Sequence, residues 1–348
     1  MEVGVGLDGT VGLSLSEEAE LSAEAARLGY ASIWTPEGTG YDSFQICAHR
    51  WAASRAVVAE GLGTGISVSP VALRTPTSLA MSAGTMSAVT GGRFVLGIGS
   101  GAIHSPAGRR TFGTGPGYTL DIMREYLTTV RGLLAGERIT HDGPTASLHG
   151  VSLAIDPPPR TPVYLGALGP RMLRLGGELA DGVALNWCTP DQVAWSREQM
   201  TGGAESAGRG PGSVKVAEYI RVCVDDDVDA ARRALARAVL GYALGPRGAT
   251  ERDRRSGYRA HFERMGFSDT LAELDAMRER GASSDDVADA MPADELRCVG
   301  YFGPADGAAA ELGRLARGLD TAIVRVVVAR PGFDSVLATM RACAPGRG

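Results

Sequence analysis

Short apolar runs, rich in β-branched residues, alternate along the chain with longer stretches in which apolar positions recur at helical spacing. The strand-like runs are EVGVGL (2 to 7), ASIWT (31 to 35), GTGISV (63 to 68), RFVLGIG (93 to 99), PVYLGA (162 to 167), GVALNW (182 to 187), VKVAEYIRVCV (214 to 224) and TAIVRVVV (321 to 328). Between them lie helical patterns such as SEEAELSAEAARLG, LDIMREYLTTVRGLLAG, PRMLRLGGELA and DVDAARRALARAVLGYAL. Nearly continuous apolar strands alternating with helices predict a parallel sheet covered on its outer face. Eight such units predict an α/β protein with a closed (β/α)8 TIM barrel, spanning 1–348 as one domain. Helix starts carry capping residues: Ser16 before Glu17 and Glu18, Thr189 before Pro190, and Asp225 to Asp227 before the Ala/Arg-rich helix.

Two stretches interrupt this rhythm. RITHDGPTASLHGVSLAI (138 to 155) carries turn signals at Asp142-Gly143 and His149-Gly150 and predicts an inserted hairpin. Residues 245–304 have helical periodicity and a basic cluster, Arg247, Arg252, Arg254, Arg255 and Arg259. They are too long for an ordinary connection and predict a helical insertion near the C-terminal face of the barrel, its arginines forming a solvated helix face.

Composition narrows the chemistry. With 44% hydrophobic and 22% charged residues the chain is an ordinary globular sequence. No apolar run approaches the ~18 residues of a membrane span, and the N-terminus reads as a strand rather than a signal peptide. A cytoplasmic protein is expected. Five scattered cysteines without CxxC spacing give neither a disulfide framework nor a zinc knuckle, and no histidine pattern suggests a metal. The net charge of −5, without a basic stripe, argues against nucleic acid. The single lysine, Lys215, enters a strand at its N-terminal end, away from the catalytic face of a barrel, so a Schiff base has no candidate. No P-loop is present.

The 48 glycines cluster after apolar runs. RFVLGIGSGA satisfies G-x-G-x-x-G/A with Gly97, Gly99 and Ala102, but the helix and acidic residue of a dinucleotide fold do not follow. These glycines instead suggest a strand end approaching a flat ligand. In PVYLGALGPRML a strand ends at Gly166, Gly169 closes a turn and Pro170 suits the first helical position. Two readings stand there: an anion site of free backbone N–H groups, to which Arg171 could add charge, or a tight turn alone. His104 lies just after the fourth strand, where barrel enzymes place reactive groups.

Taken together, LGYASIWTPE, GLGTGISV, TGGRFVLGIGSG, PVYLGALGPRML and ADGVALNW, in this order, resemble the bacterial-luciferase-like flavin and deazaflavin oxidoreductases. GALGPRML followed by ELADGVALNW resembles the branch that uses coenzyme F420. The resemblance implies a cofactor ring at the C-terminal face and a homodimer. It places a non-proline cis peptide at Gly65-Ile66, the cofactor phosphate at Gly166, Ala167, Leu168 and Gly169, and Glu37, Ser100, Gly101 and Asn186 around the ring. Where several relatives carry a histidine this chain has Gly38, and where the sugar-phosphate dehydrogenases carry a glutamate it has Ala102. Without these groups, hydride donation from reduced F420 to an activated C=C, C=N or C=O bond of a small metabolite or modified peptide is the simplest chemistry. His104, Glu37 and Tyr41 are candidate proton donors, and Trp34, Phe44, Tyr118, Trp187 and Tyr242 candidate walls. An FMN-dependent monooxygenase and a barrel without catalysis are the alternatives.

Overall fold

Each of the eight expected runs forms a parallel strand in a computed structural model. It describes residues 1–104, 106–115, 117–156, 158, 160–245 and 257–346, without the side chains of Ala102, His104, Pro106 and Ala107. The strands are β1 (Glu2–Gly6), β2 (Ser32–Thr35), β3 (Gly63–Pro70) and β4 (Phe94–Gly99), then β7 (Val163–Gly166), β8 (Gly182–Asn186), β9 (Lys215–Val224) and β11 (Thr321–Val326). Pairing runs β11-β1-β2-β3-β4-β7-β8-β9, and β9 returns to β11, so the sheet closes into the expected (β/α)8 barrel. Every residue of β11 is buried, as two-sided covering requires.

Closure works because large rings inside the barrel meet glycines. Trp34, Tyr164, Ala217, Tyr219 and Ile323 form the interior cluster. A Cβ on Gly65 would lie 2.4 Å from the Trp34 ring, on Gly6 2.7 Å from Tyr219 and on Gly182 2.5 Å from Tyr164. Two further clusters flank this interior, one between strands and outer helices and one between the insertion and the helix over 228–243, around Leu235, Phe262 and Phe302.

The outer helices include α1 (Leu15–Arg27), α2 (Ser43–Ser54), α3 (Pro76–Val89), α4 (Pro106–Phe112), α5 (Thr119–Leu134), α6 (Pro170–Leu179), α7 (Pro190–Ser206) and α8 (Val228–Ala243). Thr189 caps α7 and Asp227 caps α8 as expected. The cap of α1 is Ser14, not Ser16: its hydroxyl accepts from Glu17 N–H while Glu17 reaches back to the Ser14 N–H, a reciprocal pair open only to the residue three before Glu17. The hairpin forms as β5 (Ile139–Asp142) and β6 (Ser147–Val151), held by Glu125, whose carboxylate accepts from Thr145 and Ala146 N–H.

The insertion departs from expectation in two ways. After its helices Gly257–Arg264, Ser268–Glu279, Ser284–Ala290 and Ala293–Val299 comes a ninth strand, β10 (Gly300–Gly303), pairing with the far half of β9. β9 is long enough to outrun β8 and leave that edge free. Arg259 is no solvated face residue: it is buried and ion-paired with Glu263 and Asp275, both at 2.6 Å. Arg247, Arg252, Arg254 and Arg255 lie outside the described residues. Lys215 pairs with Asp320 at the N-terminal end of β9, away from the mouth.

Candidate active site

The C-terminal ends of β2, β3 and β4 build one side of the barrel mouth. Glu37, just after β2, donates its N–H to the Val68 carbonyl at 3.2 Å. Its buried carboxylate accepts Arg74 Nε at 2.9 and 3.1 Å, Arg74 Nη2 and the Ser69 hydroxyl. Arg74 also donates to Asp42, which caps α2, and its guanidinium lies 4.7 Å over the Phe44 ring. Hydrogen bonds donated to Glu37 and then to Asp42 hold the Arg74 pKa above its ordinary value. Partial burial raises the Asp42 carboxyl, but the bonds from Arg74 and the helix N–H groups outweigh it and hold the net value low.

The strand between these groups is irregular, though not where the family resemblance placed it. The non-proline cis peptide is Ser67–Val68. Gly65 and Ile66 instead stay in regular register with Trp34 and Thr35, and the β3–β4 ladder breaks only between Ile66 and Ser69. Gly65 is packed under Trp34, and the Ile66 side chain is fully buried in the core. Val68 then fills space left by glycines: a Cβ on Gly99 would lie 2.4 Å from its methyl, and one on Gly97 or Gly166 3.2 Å. The glycines at the β4 end thus accommodate the Val68 side chain. Ser100 is half-buried, and Gly101, with φ +53°, opens the turn Gly101–His104. The His104 side chain lies outside the described residues.

β7 leads into the second part. Ala167 N–H donates to the Ala184 carbonyl at 3.3 Å, and the Leu168 carbonyl accepts Arg264 Nη2 at 2.8 Å, tying this loop to the insertion. Gly169 is the N-cap of α6, with no side-chain cap and nothing within 4 Å of where its Cβ would stand. The first N–H groups of α6 are thus left to solvent or to an anion. Arg171 is exposed beside them.

The third part lies across the mouth, at the ends of β8, β9, β11 and β1. Trp187 adopts a left-handed backbone, φ +58°, rare for a bulky residue. It is held on both sides: Cys188 N–H donates to Glu218 at 2.6 Å, and His261 Nε2–H donates to the Trp187 carbonyl at 2.8 Å. Burial, with a smaller contribution from nearby Arg264, lowers the His261 pKa to about 4 against the opposing hydrogen bond to the Trp187 carbonyl, so the ring is neutral at pH 7. Burial likewise raises Glu218 to about 8. The turn stacks the Trp187 ring 4.0 Å from the Arg221 guanidinium. Arg221 Nη1 donates to the Asn186 side-chain oxygen and, at 3.1 Å, to the Tyr219 carbonyl. The Asn186 amide donates to the Tyr258 hydroxyl at 2.6 Å. Arg325, Cα partner of Arg221 on the next strand, pairs with Asp8 beyond β1. Asn186 therefore belongs to this side, as the link between a barrel arginine and the insertion.

The family model described as luciferase-like monooxygenase matches residues 1–321. The chain belongs to the luciferase-like family. A 5,10-methylenetetrahydromethanopterin reductase of Methanolobus tindarius is 35% identical over 183 residues, 53% of this chain and 54% of that protein. The chain thus spans about half the length of that relative. A Mycobacterium tuberculosis protein named as a coenzyme F420-dependent oxidoreductase is 29% identical over 80% of this chain and 81% of its own. The structure of the F420-dependent tetrahydromethanopterin reductase of Methanopyrus kandleri superposes with a TM-score of 0.73 at 20% identity, covering 99% of this chain and 97% of the other, which bears on fold alone.

Within this luciferase-like barrel the expected residues divide. Glu37, Ser100 and Gly101 lie on the β2–β4 side, Gly166 to Gly169 at the α6 start, and Asn186 on the far side. Tyr41, a candidate proton donor, and Tyr118, a candidate wall, are 68% and 76% exposed. Arg74, Asp8, Arg221 and Arg325 were not flagged by sequence reasoning. A signal existed for the last two: a lone arginine at an inward position in YIRVCV and again in AIVRVVV, within strands otherwise apolar. Among the described residues no three His, Cys, Asp or Glu side chains form a metal-binding group.

Proposed function

We propose that the protein is an F420-dependent oxidoreductase that transfers hydride from reduced F420 to an activated C=C, C=N or C=O bond of a small metabolite or modified peptide. The observation that carries this reading is the uncapped start of α6 at the catalytic face, where Gly169 leaves open space for a phosphate. The names of the relatives favour a deazaflavin over a flavin at that place. The residues present fit such a group: Gly166 to Gly169 would hold its phosphate, and Ser100 and Gly101 would edge its ring.

Bound and reduced, F420 supplies a hydride without oxygen chemistry. The chain's part is to position the acceptor and deliver a proton to the far end of the reduced bond. His104 is the proposed donor. Glu37 has both carboxylate oxygens committed to Arg74, with Ser69 also on one of them, so its part is to brace the mouth. His104→Gln is expected to lower kcat about 100-fold while leaving F420 affinity unchanged.

The test is parallel titration with F420 and FMN, following fluorescence and thermal stabilisation. Micromolar F420 binding with negligible FMN binding is expected. The reverse preference would replace this reading with an FMN-dependent monooxygenase, which the description of the matching family model favours. Binding of neither would leave a barrel without catalysis.

A further inference from the structure

Arg221 and Arg325 stand side by side on β9 and β11, directly paired in register, with their guanidinium groups at the C-terminal mouth. Residues 217, 219 and 221 alternate inward, as do 323 and 325, so both arginines sit one layer above the interior cluster of Tyr219 and Ile323. They are 4% and 7% exposed. Among the described residues one carboxylate, Asp8, forms an ion pair here, and it pairs with Arg325. Arg221 has only the neutral oxygens of Asn186 and Tyr219 as hydrogen-bond acceptors among the described residues. Arg325 Nη1 is buried and has no hydrogen-bond partner among the described residues. The Tyr219 hydroxyl, whose ring lies 5.3 Å from the Arg325 guanidinium, is likewise unpartnered.

Two buried cations facing one anion are an expensive arrangement for a folded chain, because buried charge is tolerated only when paired and fully hydrogen-bonded. Stacking on Trp187 offsets part of that cost for Arg221. Glu218, three residues before Arg221 on β9, lies on the opposite face of the strand; it interacts with Arg221, but burial raises its carboxyl to about 8, so it forms no ion pair that supplies the missing charge. The unfilled donors and the uncompensated charge coincide at one place. An arginine with free N–H groups is the side chain best matched to a planar, two-oxygen anion.

We infer that the Arg221–Arg325 pair binds a carboxylate of the acceptor substrate, so that this enzyme reduces a carboxylate-bearing molecule. The inference deepens the proposed function and rests on it for the word acceptor; the carboxylate site itself does not. F420 also carries carboxylates on its tail, so the test separates the two sources.

Benzoate and its neutral counterpart benzamide serve as probes, titrated into the full chain with and without F420, following tryptophan fluorescence because Trp187 stacks on Arg221. Benzoate is expected to bind at least about tenfold more tightly than benzamide, Arg221→Met to weaken benzoate about tenfold, and Asp8→Asn to strengthen it. Equal binding of the two probes, or benzoate binding unchanged in Arg221→Met, would overturn the inference. Should Arg221→Met not fold, Asp8→Asn decides alone, since tighter benzoate binding cannot come from a damaged fold and unchanged or weaker binding overturns the site. F420 and its chromophore without the tail are titrated against the same variants. Unchanged F420 affinity in Arg221→Met is expected. Loss confined to the tailed form would overturn the assignment to the acceptor and give the site to the cofactor. Benzoate binding without F420 binding would sink the cofactor reading while sparing the carboxylate site.

Discussion

The two sides of the barrel mouth treat arginine in opposite ways. On the β2–β4 side, Arg74 sits between Glu37 and Asp42, two carboxylates to one guanidinium, and its pKa is held up. On the β9–β11 side, Asp8 pairs with Arg325 and not with Arg221, and burial pulls both arginine pKa values down, Arg325 to about 9. The same side chain is therefore a brace in one place and an unfilled receptor in the other. Partner count, not residue type, separates them.

The comparison makes its sharpest demand at Arg74. Arg74→Met leaves Glu37 buried without its cation and is expected to cost about 3 kcal/mol of unfolding free energy in urea titration. A loss below about 1 kcal/mol would mean that Glu37 is solvated and that the two sides do not differ as described. Next in size is the backbone on the same side. Gly99→Ala drives a methyl into Val68 and is expected to cost about 2 kcal/mol, with much of it recovered in the Gly99→Ala, Val68→Ala double variant.

On the far side, Glu218 gives a pH signature. Its carboxyl titrates at about 8 when folded, well above its ordinary value of 4.5, so the folded state prefers the protonated form. Stability linked to it is full below about pH 4.5 and is lost as pH rises through 8. Glu218→Gln is expected to flatten that alkaline decline, retaining on the order of 2 kcal/mol at pH 8.5 relative to the parent protein. An unchanged decline would show that Glu218 is ionised in the folded state. The smallest effect belongs to Arg221→Met: removing a buried cation that has no ion-pair partner among the described residues is expected to change stability at pH 7 by less than about 1 kcal/mol. A loss matching that of Arg74→Met would erase the contrast between the two sides.

Much of the fold was legible along the chain, because strands buried on both faces write themselves as short apolar runs. The exception, β10, reads GYFG, without a β-branched residue, and exists because β9 is long enough to offer it an edge. The α6 start was legible from Gly169 and Pro170, which are local turn chemistry. The Glu37–Arg74 brace was not, since Arg74 falls in an ordinary-looking PVALRTP loop and reaches Glu37 only because β2 and β3 are neighbours. Placing the cis peptide at Gly65-Ile66 came from family pattern alone; it lies at Ser67–Val68, inside the break in β3–β4 register.

The sequence by itself determined the eight strands, the inserted hairpin, the glycine-led start of α6 and the family, all carried by periodicity and short motifs in which each residue constrains its neighbours. Only the tertiary structure decided which charges meet. Barrel closure sets β11 beside β9 in a register that makes Arg325 the partner of Arg221, and brings Asp8 from the other end of the chain to only one of them. Electrostatic compensation depends on distances across strands, and no spacing along a strand records it.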